Sequence, residues 1–227
     1  MFVPGQYRDP DGSWSYELVR GHPLALLVAN GPAHGSPFAS HLPIILDPAA
    51  ESSHRLAGAT LFGHMNRANP HWASLPAESR VLVVFTGPHA YVSPTVHGVT
   101  PAAPTWNFAS VHVHGILRKL DSAEQTMEVV TATVRTLEGA FGAGWDMTSS
   151  LDYFHTLLPA VGAFRIDVLH AEGMFKLSQD SDPEVRESVC GSFSRRQSSR
   201  HLELAELMAQ FTQCASRSDA STLLENS

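Results

Sequence analysis

The chain has 227 residues, 43% of them hydrophobic and 16% charged, which is enough apolar material for one sizeable core and too much for a disordered chain. Its formal net charge of −7, from 15 Lys plus Arg against 22 Asp plus Glu, excludes broad attraction to nucleic-acid phosphates. Cys190 and Cys214 make neither a disulfide framework nor a zinc spacing, and no stretch reaches the roughly 18 consecutive apolar residues of a membrane span. With no signal-peptide pattern in MFVPGQYRDPDGSW, a cytoplasmic protein without nucleic-acid or membrane partners is expected.

The first predicted element is a short amphipathic helix over SWSYELVR, capped by Asp11 or Ser13. LALLVAN and ASHLPIILD follow as two strands of a hairpin, separated by a turn region with Gly31, Pro32, Gly35 and Pro37. RLAGATLFGHM reads as a third strand, and NPHWASL as a short helix with Asn69 at the cap and Pro70 at its first position. RVLVVFTG and then AYVSP are extended, and TWNFASVHVHGILRKL alternates apolar and polar residues through Val111, Val113 and Ile116. SAEQTMEVVTATVRTLEGAF carries Met127, Val130, Val134 and Leu137 at helical spacing and stops at Gly142. A shorter helix over SLDYFHTLLP, a last strand over GAFRIDVLHAEG, a short extended GMFKLSQ, and helices over PEVRESVCGSF and HLELAELMAQF complete the order, with RRQSSR and SRSDASTLLENS read as flexible.

Many short strands with a few helices and no strand–helix alternation predict an α+β fold, an antiparallel barrel carrying peripheral helices. Residues 1–190 are expected to form the barrel domain, and 191–227 a C-terminal helix and tail. No glycine-rich phosphate loop follows a strand, and no GxSxG elbow is present.

The chemistry centres on the 13 histidines. LFGHMNRANPHW spends polar side chains at nearly every second position around Pro70, more than one helix cap needs. His64 and Arg67 there are either part of the strand–helix junction or a cofactor-holding pair, since guanidinium bonds carboxylates and phosphates bidentately. A histidine on a rigid strand end meets the requirement for an axial haem ligand, and without CxxCH any haem is non-covalent; spacing does not separate haem from flavin. In VHVHG, His112 and His114 share one strand face, as an ordinary solvent side or a basic functional one. Tyr91, Ser93, Trp106 and Asn107 either line a planar cofactor or serve core and turn packing. Lys176, Ser178 and Gln179 alternate with apolar residues, as they also would on a surface strand.

GHMNRANPHW, VLVVFTGPHAYVSP, PTWNFASVHVHG and GMFKLSQ, in this order, resemble the PaiB-like branch of the flavin-nucleotide-binding split-barrel proteins over roughly residues 1 to 190. That resemblance implies an FMN-binding split-barrel-like fold, a homodimer, and cofactor sites near the subunit interface. Within the branch, the loop SPTVHGVTPAAPTWN lacks the aromatics usual in regulator-like members, and TPAAPTWNF, FGAGWDMTSSLDYF and LPAVGAFRI look closer to the haem-dependent piperazate synthases. The implied reaction is closure of δ-N-hydroxy-L-ornithine to L-piperazic acid in natural-product biosynthesis, with haem b as cofactor. By position in the matching motifs, His64 is the axial ligand, and Arg55 and Arg67 bind haem propionates or the substrate carboxylate. His112 or His114 serves in proton transfer and Lys176 holds a carboxylate. The broader branch implies instead an FMN-binding transcriptional regulator or sensor without catalysis.

Overall fold

The structure is a computed structural model that describes residues 1–31, 35–50, 54–98, 100–196 and 198–225. Six strands, β1 (Leu24–Ala29), β2 (Phe38–Leu46), β3 (Thr60–Asn66), β4 (Glu78–Val92), β5 (Thr105–Leu120) and β6 (Val161–Lys176), close into an antiparallel barrel in the order β1-β2-β3-β6-β5-β4. The helices are α1 (Ser13–Gly21), α2 (Pro70–Ser74), α3 (Ala123–Phe141), α4 (Leu151–Leu157), α5 (Pro183–Ser194) and α6 (Ser199–Glu225). The predicted α+β barrel with peripheral helices is the fold observed.

Period-two alternation builds the barrel, because successive strand side chains point to opposite faces. Ala25 and Leu27 of β1, Leu61 and Met65 of β3, Val81, Val83 and Phe85 of β4, Val111, Val113 and Leu117 of β5, and Phe164, Ile166 and Val168 of β6 are all buried. β1 and β2 form the expected hairpin with Leu27 opposite Ser40, and β3 runs antiparallel to β6 with Gly63 opposite Phe164. A Cβ at Gly63 would stand 2.5 Å from the Phe164 ring, so this interior position excludes any side chain.

Three local expectations are corrected. The α1 cap is Gly12, at φ +89°, with no side-chain cap of its own, because Asp9 takes the work. Its carboxylate accepts the backbone N–H of Gly12 at 3.0 Å and of Ser15 at 2.7 Å. RVLVVFTG and AYVSP join into one strand of 15 residues, and GAFRIDVLHAEG and GMFKLSQ into one of 16, since neither junction breaks the ladder. α6 continues to Glu225, well past the expected end at Phe211.

The chain divides into two compact units. The first holds Met1, Asp9–Thr86 and Ser110–Gly173; the second holds Phe2–Arg8, Gly87–Ala109 and the chain from Met174. In the first, α3 packs against β3 and β2; in the second, α5 packs on α6, burying Val189, Phe193, Leu204 and Met208. Among the described residues, no helix is long and apolar enough to cross a membrane.

Candidate functional site

At the end of β3 the polar run of the sequence divides into separate tasks. Asn66 Oδ1 accepts the N–H of Ala68 at 2.8 Å and Asn69 Oδ1 that of His71 at 2.9 Å, so the two asparagines build the turn and cap α2. His71 is fully buried, stacked 5.4 Å from Phe38, with Nδ1 3.0 Å from Ser40 Oγ. Arg67 reaches back to β6, its Nε donating to the Val161 carbonyl at 2.8 Å, and its guanidinium lies 5.6 Å from the Trp72 ring centre. Neither the turn nor the cap uses His64.

His64 alternates with the buried Leu61, Gly63 and Met65, so it sits on the outer face of β3, the strand against which α3 packs, opposite Ala163 of β6. Its Nδ1 is buried and makes no hydrogen bond. Burial pushes its pKa below the ordinary histidine value, which keeps the ring neutral, the state that offers a lone pair to a metal.

Sequence reasoning missed a second cation here. Lys119, at the end of β5, stands 4.4 Å over the Trp72 ring and donates from Nζ to the Trp72 carbonyl at 2.8 Å. Burial, then the nearby Arg67 charge, pushes its pKa down, against a smaller upward pull from Asp121. The signal lay in LRKL following the VHVHG strand, where Arg118 and Lys119 alternate in side; Arg118 turns instead to Glu78 and to Asp167, at 3.0 Å from the latter. Arg55 is placed elsewhere, beside the start of α1, with its Cγ 3.9 Å from the position a Gly12 Cβ would take. There its charge adds to the hydrogen bonds from Ser13 that hold the Asp11 carboxyl below the usual range.

His112 and His114 do share the outer face of β5. His114 stacks 6.1 Å from His170, whose Nε2 is 3.6 Å from Glu172, and Glu172 also accepts the N-terminal ammonium at 2.6 Å. His170 and Glu172 were not singled out in the sequence, although both lie in VLHAEG. The His112 pKa is pushed down by burial first, then by the N-terminal ammonium and His114, with Glu172 opposing. This cluster is not next to His64: Ala163, opposite His64, and His170 are seven residues apart on β6, about 23 Å at strand rise.

The second unit holds the remaining predicted residues. Trp106 and Tyr91 are both about half exposed, with ring centres 6.0 Å apart, and His89 lies 6.2 Å from Trp106, which makes an open aromatic surface. Asn107 is fully buried and exchanges hydrogen bonds with Ser178 at 2.9 and 3.1 Å. It therefore packs the core of this unit. Ser93 Oγ accepts the N–H of Thr95 and caps a short turn of helix. Lys176 donates to Thr105 Oγ1 and lies 5.9 Å over the Tyr7 ring, and the Tyr7 hydroxyl donates to Asp180 at 2.7 Å. Gln179 Oε1 accepts the Leu177 N–H at 2.6 Å. Among the described residues, no three His, Cys, Asp or Glu side chains converge as a bare metal ion requires, so a metal held here would bring a ligand frame of its own, as a porphyrin does.

Comparison with known proteins agrees with this architecture. The protease synthase and sporulation protein PAI 2 of Bacillus subtilis is 25% identical over 209 residues, covering 92% of this chain and 96% of the relative. Among solved structures of the same fold are a conserved hypothetical protein from Mycobacterium tuberculosis and the FAD and haem binding protein from Mycobacterium smegmatis. The first has a TM-score of 0.51 at 11% identity, over 80% of this chain and 94% of the other. The second has a TM-score of 0.50 at 12% identity, over 80% and 79%. A family described as "Putative FMN-binding domain" matches residues 1–170, three quarters of the sequence, and the chain belongs to that family of split-barrel proteins.

Proposed function

We propose that the protein is a haem-dependent piperazate synthase that closes δ-N-hydroxy-L-ornithine to L-piperazic acid with loss of water. The observation that carries this reading is His64: a neutral, half-buried imidazole on a barrel strand, its Nδ1 without a hydrogen bond, with Arg67 three residues on. FMN and haem are the two cofactor options, the first from the family description and the second from the His64 donor and the motif resemblance. Haem fits the residues present, since a single imidazole is all an axial site asks of the chain.

In the overall reaction the α-amine nitrogen bonds to the δ-nitrogen, the N–O bond breaks, and the hydroxyl leaves as water with a proton, so no reductant is consumed. Bound haem iron would supply a Lewis-acidic, redox-active centre able to weaken the N–O bond. His64 would hold that group through its imidazole, and Arg67 with Lys119 would present two positive charges to propionates or to the substrate carboxylate. The α-amine must be neutral to attack, and His112 or His114 serves as its proton acceptor. His114 stacks on His170, which stands seven residues along β6 from the Ala163 opposite His64, so that role falls to these residues of a second copy, in the homodimer implied by the resemblance.

The test is turnover of δ-N-hydroxy-L-ornithine by haem-loaded protein, read by mass spectrometry as a product lighter by one water. No such product from fully loaded protein would end the reading. The second reading, a flavin-binding regulator or sensor, is favoured by one observation of its own, the open aromatic surface of His89, Tyr91 and Trp106, on which an isoalloxazine ring could stack.

A further inference from the structure

In the first unit, α1, the end of β2 and the end of α3 enclose a cleft of about 580 Å³, within the ~300–1,000 Å³ typical of small-ligand pockets. Nothing assigned so far uses it. Both helices that line it bring their C-terminal turns, Arg20–Gly21 from α1 and Gly139–Phe141 from α3. The last carbonyls of a helix have no intrahelical donor and carry the negative end of its dipole. In α1 that end has Arg20 beside it, but Arg20 is tied to Glu17 by contacts of 3.1 and 3.2 Å. The last turn of α3 has no basic residue and carries Glu138.

Asp47 adds a carboxylate to the same cleft. Its Oδ1 accepts the N–H of Ala49 at 2.9 Å, and no ion pair uses it among the described residues. Among the described lining residues, Glu17 and Asp47 against Arg20 leave the cleft with a net negative charge. Tyr16 also lines it, and so does Phe141, which is 61% exposed. An aromatic face attracts a cation as well as an alkyl stem. At Gly139, which lines the cleft, an added Cβ would meet no atom within 4 Å, so a larger side chain has room there.

We propose that this cleft binds a small aliphatic ammonium ion, its charge held by Asp47 and the C-terminal carbonyls of α3 and its stem against Tyr16 and Phe141. The inference stands apart from the haem reading, because it uses none of the residues around His64. Calorimetric titration of the full chain with hexylammonium, and with hexanoate and 1-hexanol as probes of equal length, tests it. Saturable binding of the amine, at least about tenfold tighter than either other probe, is expected. Asp47→Asn keeps the bond to Ala49 and should weaken the amine about tenfold, the effect of one lost charge-assisted contact. Gly139→Leu should abolish binding while the circular dichroism spectrum is unchanged. Absence of saturable amine binding, equal affinity for hexanoate or hexanol, or wild-type affinity in Asp47→Asn would each overturn the proposal.

Discussion

Two histidine sites on one barrel wall show how differently the same side chain can be used. His64 on β3 is sheltered, neutral and without a bond at Nδ1, on the strand that α3 packs against. His114 on β5 is exposed, and it stacks on His170, which leans on Glu172 and through it on the N-terminal ammonium. Both lie on the outer face of their strands, so strand alternation alone makes them equivalent. What separates them is that His64 is half-buried on a strand that packs against α3, whereas His114 is exposed. Burial without a partner favours the neutral ring of His64 and leaves a lone pair to donate, whereas His114 is open to solvent beside a second imidazole.

The largest expected effect comes from removing the sheltered member. His64→Ala should lose bound haem while the far-ultraviolet circular dichroism spectrum persists, because His64 is only half-buried and its Nδ1 holds no hydrogen bond in the fold. Undiminished haem occupancy in that variant would erase the distinction between the two sites. Next is the backbone that positions His64. Gly63→Ala places a methyl 2.5 Å from the fully buried Phe164 ring and 3.3 Å from Ile44, and should destabilise the fold by roughly 1–3 kcal/mol in urea titration, the usual result of overpacking a rigid core.

A pH test sharpens the role of burial. His71 is fully buried and its pKa is pushed below 6.5 by desolvation. Above pH 6.5 folded and unfolded states are both neutral at this residue; as pH falls below it, the unfolded chain takes a proton that the folded state refuses. Stability in the apo protein should therefore fall from neutral toward acidic pH, and His71→Leu should make that fall shallower; an equally steep fall would remove His71 as a contributor. The smallest effect belongs to the exposed cluster. Glu172→Gln should change the unfolding free energy at neutral pH by under about 1 kcal/mol, as partly exposed ion pairs do, and a larger loss would mean that the cluster is structural.

Much of the fold was legible in the sequence because its periodicities are local. Asn69-Pro70 announced α2, Ser122 and Gly142 bounded α3, and the alternation of VHVHG placed His112 and His114 on one face. Where long strands run on through Gly87-Pro88 and Gly173, local breaker signals cut too early, since the barrel ladder holds extended backbone that glycine and proline alone would release. Of the site, the residues on β3 and its turn could be read, yet the partners of Lys119, His170 and Glu172 could not. Lys119 meets Trp72 of α2, Glu172 meets the N-terminal ammonium, and His170 meets His114 across β5 and β6, whose register has no signature within either segment. Asn107 shows the reverse case, a polar residue whose burial against Ser178 only the tertiary structure reveals.

The central claim is that His64 holds a haem, and the visible absorption spectrum of protein expressed with haem precursor tests it most directly. The account predicts a Soret band at stoichiometric intensity. Flavin bands alone, or no chromophore, would contradict it.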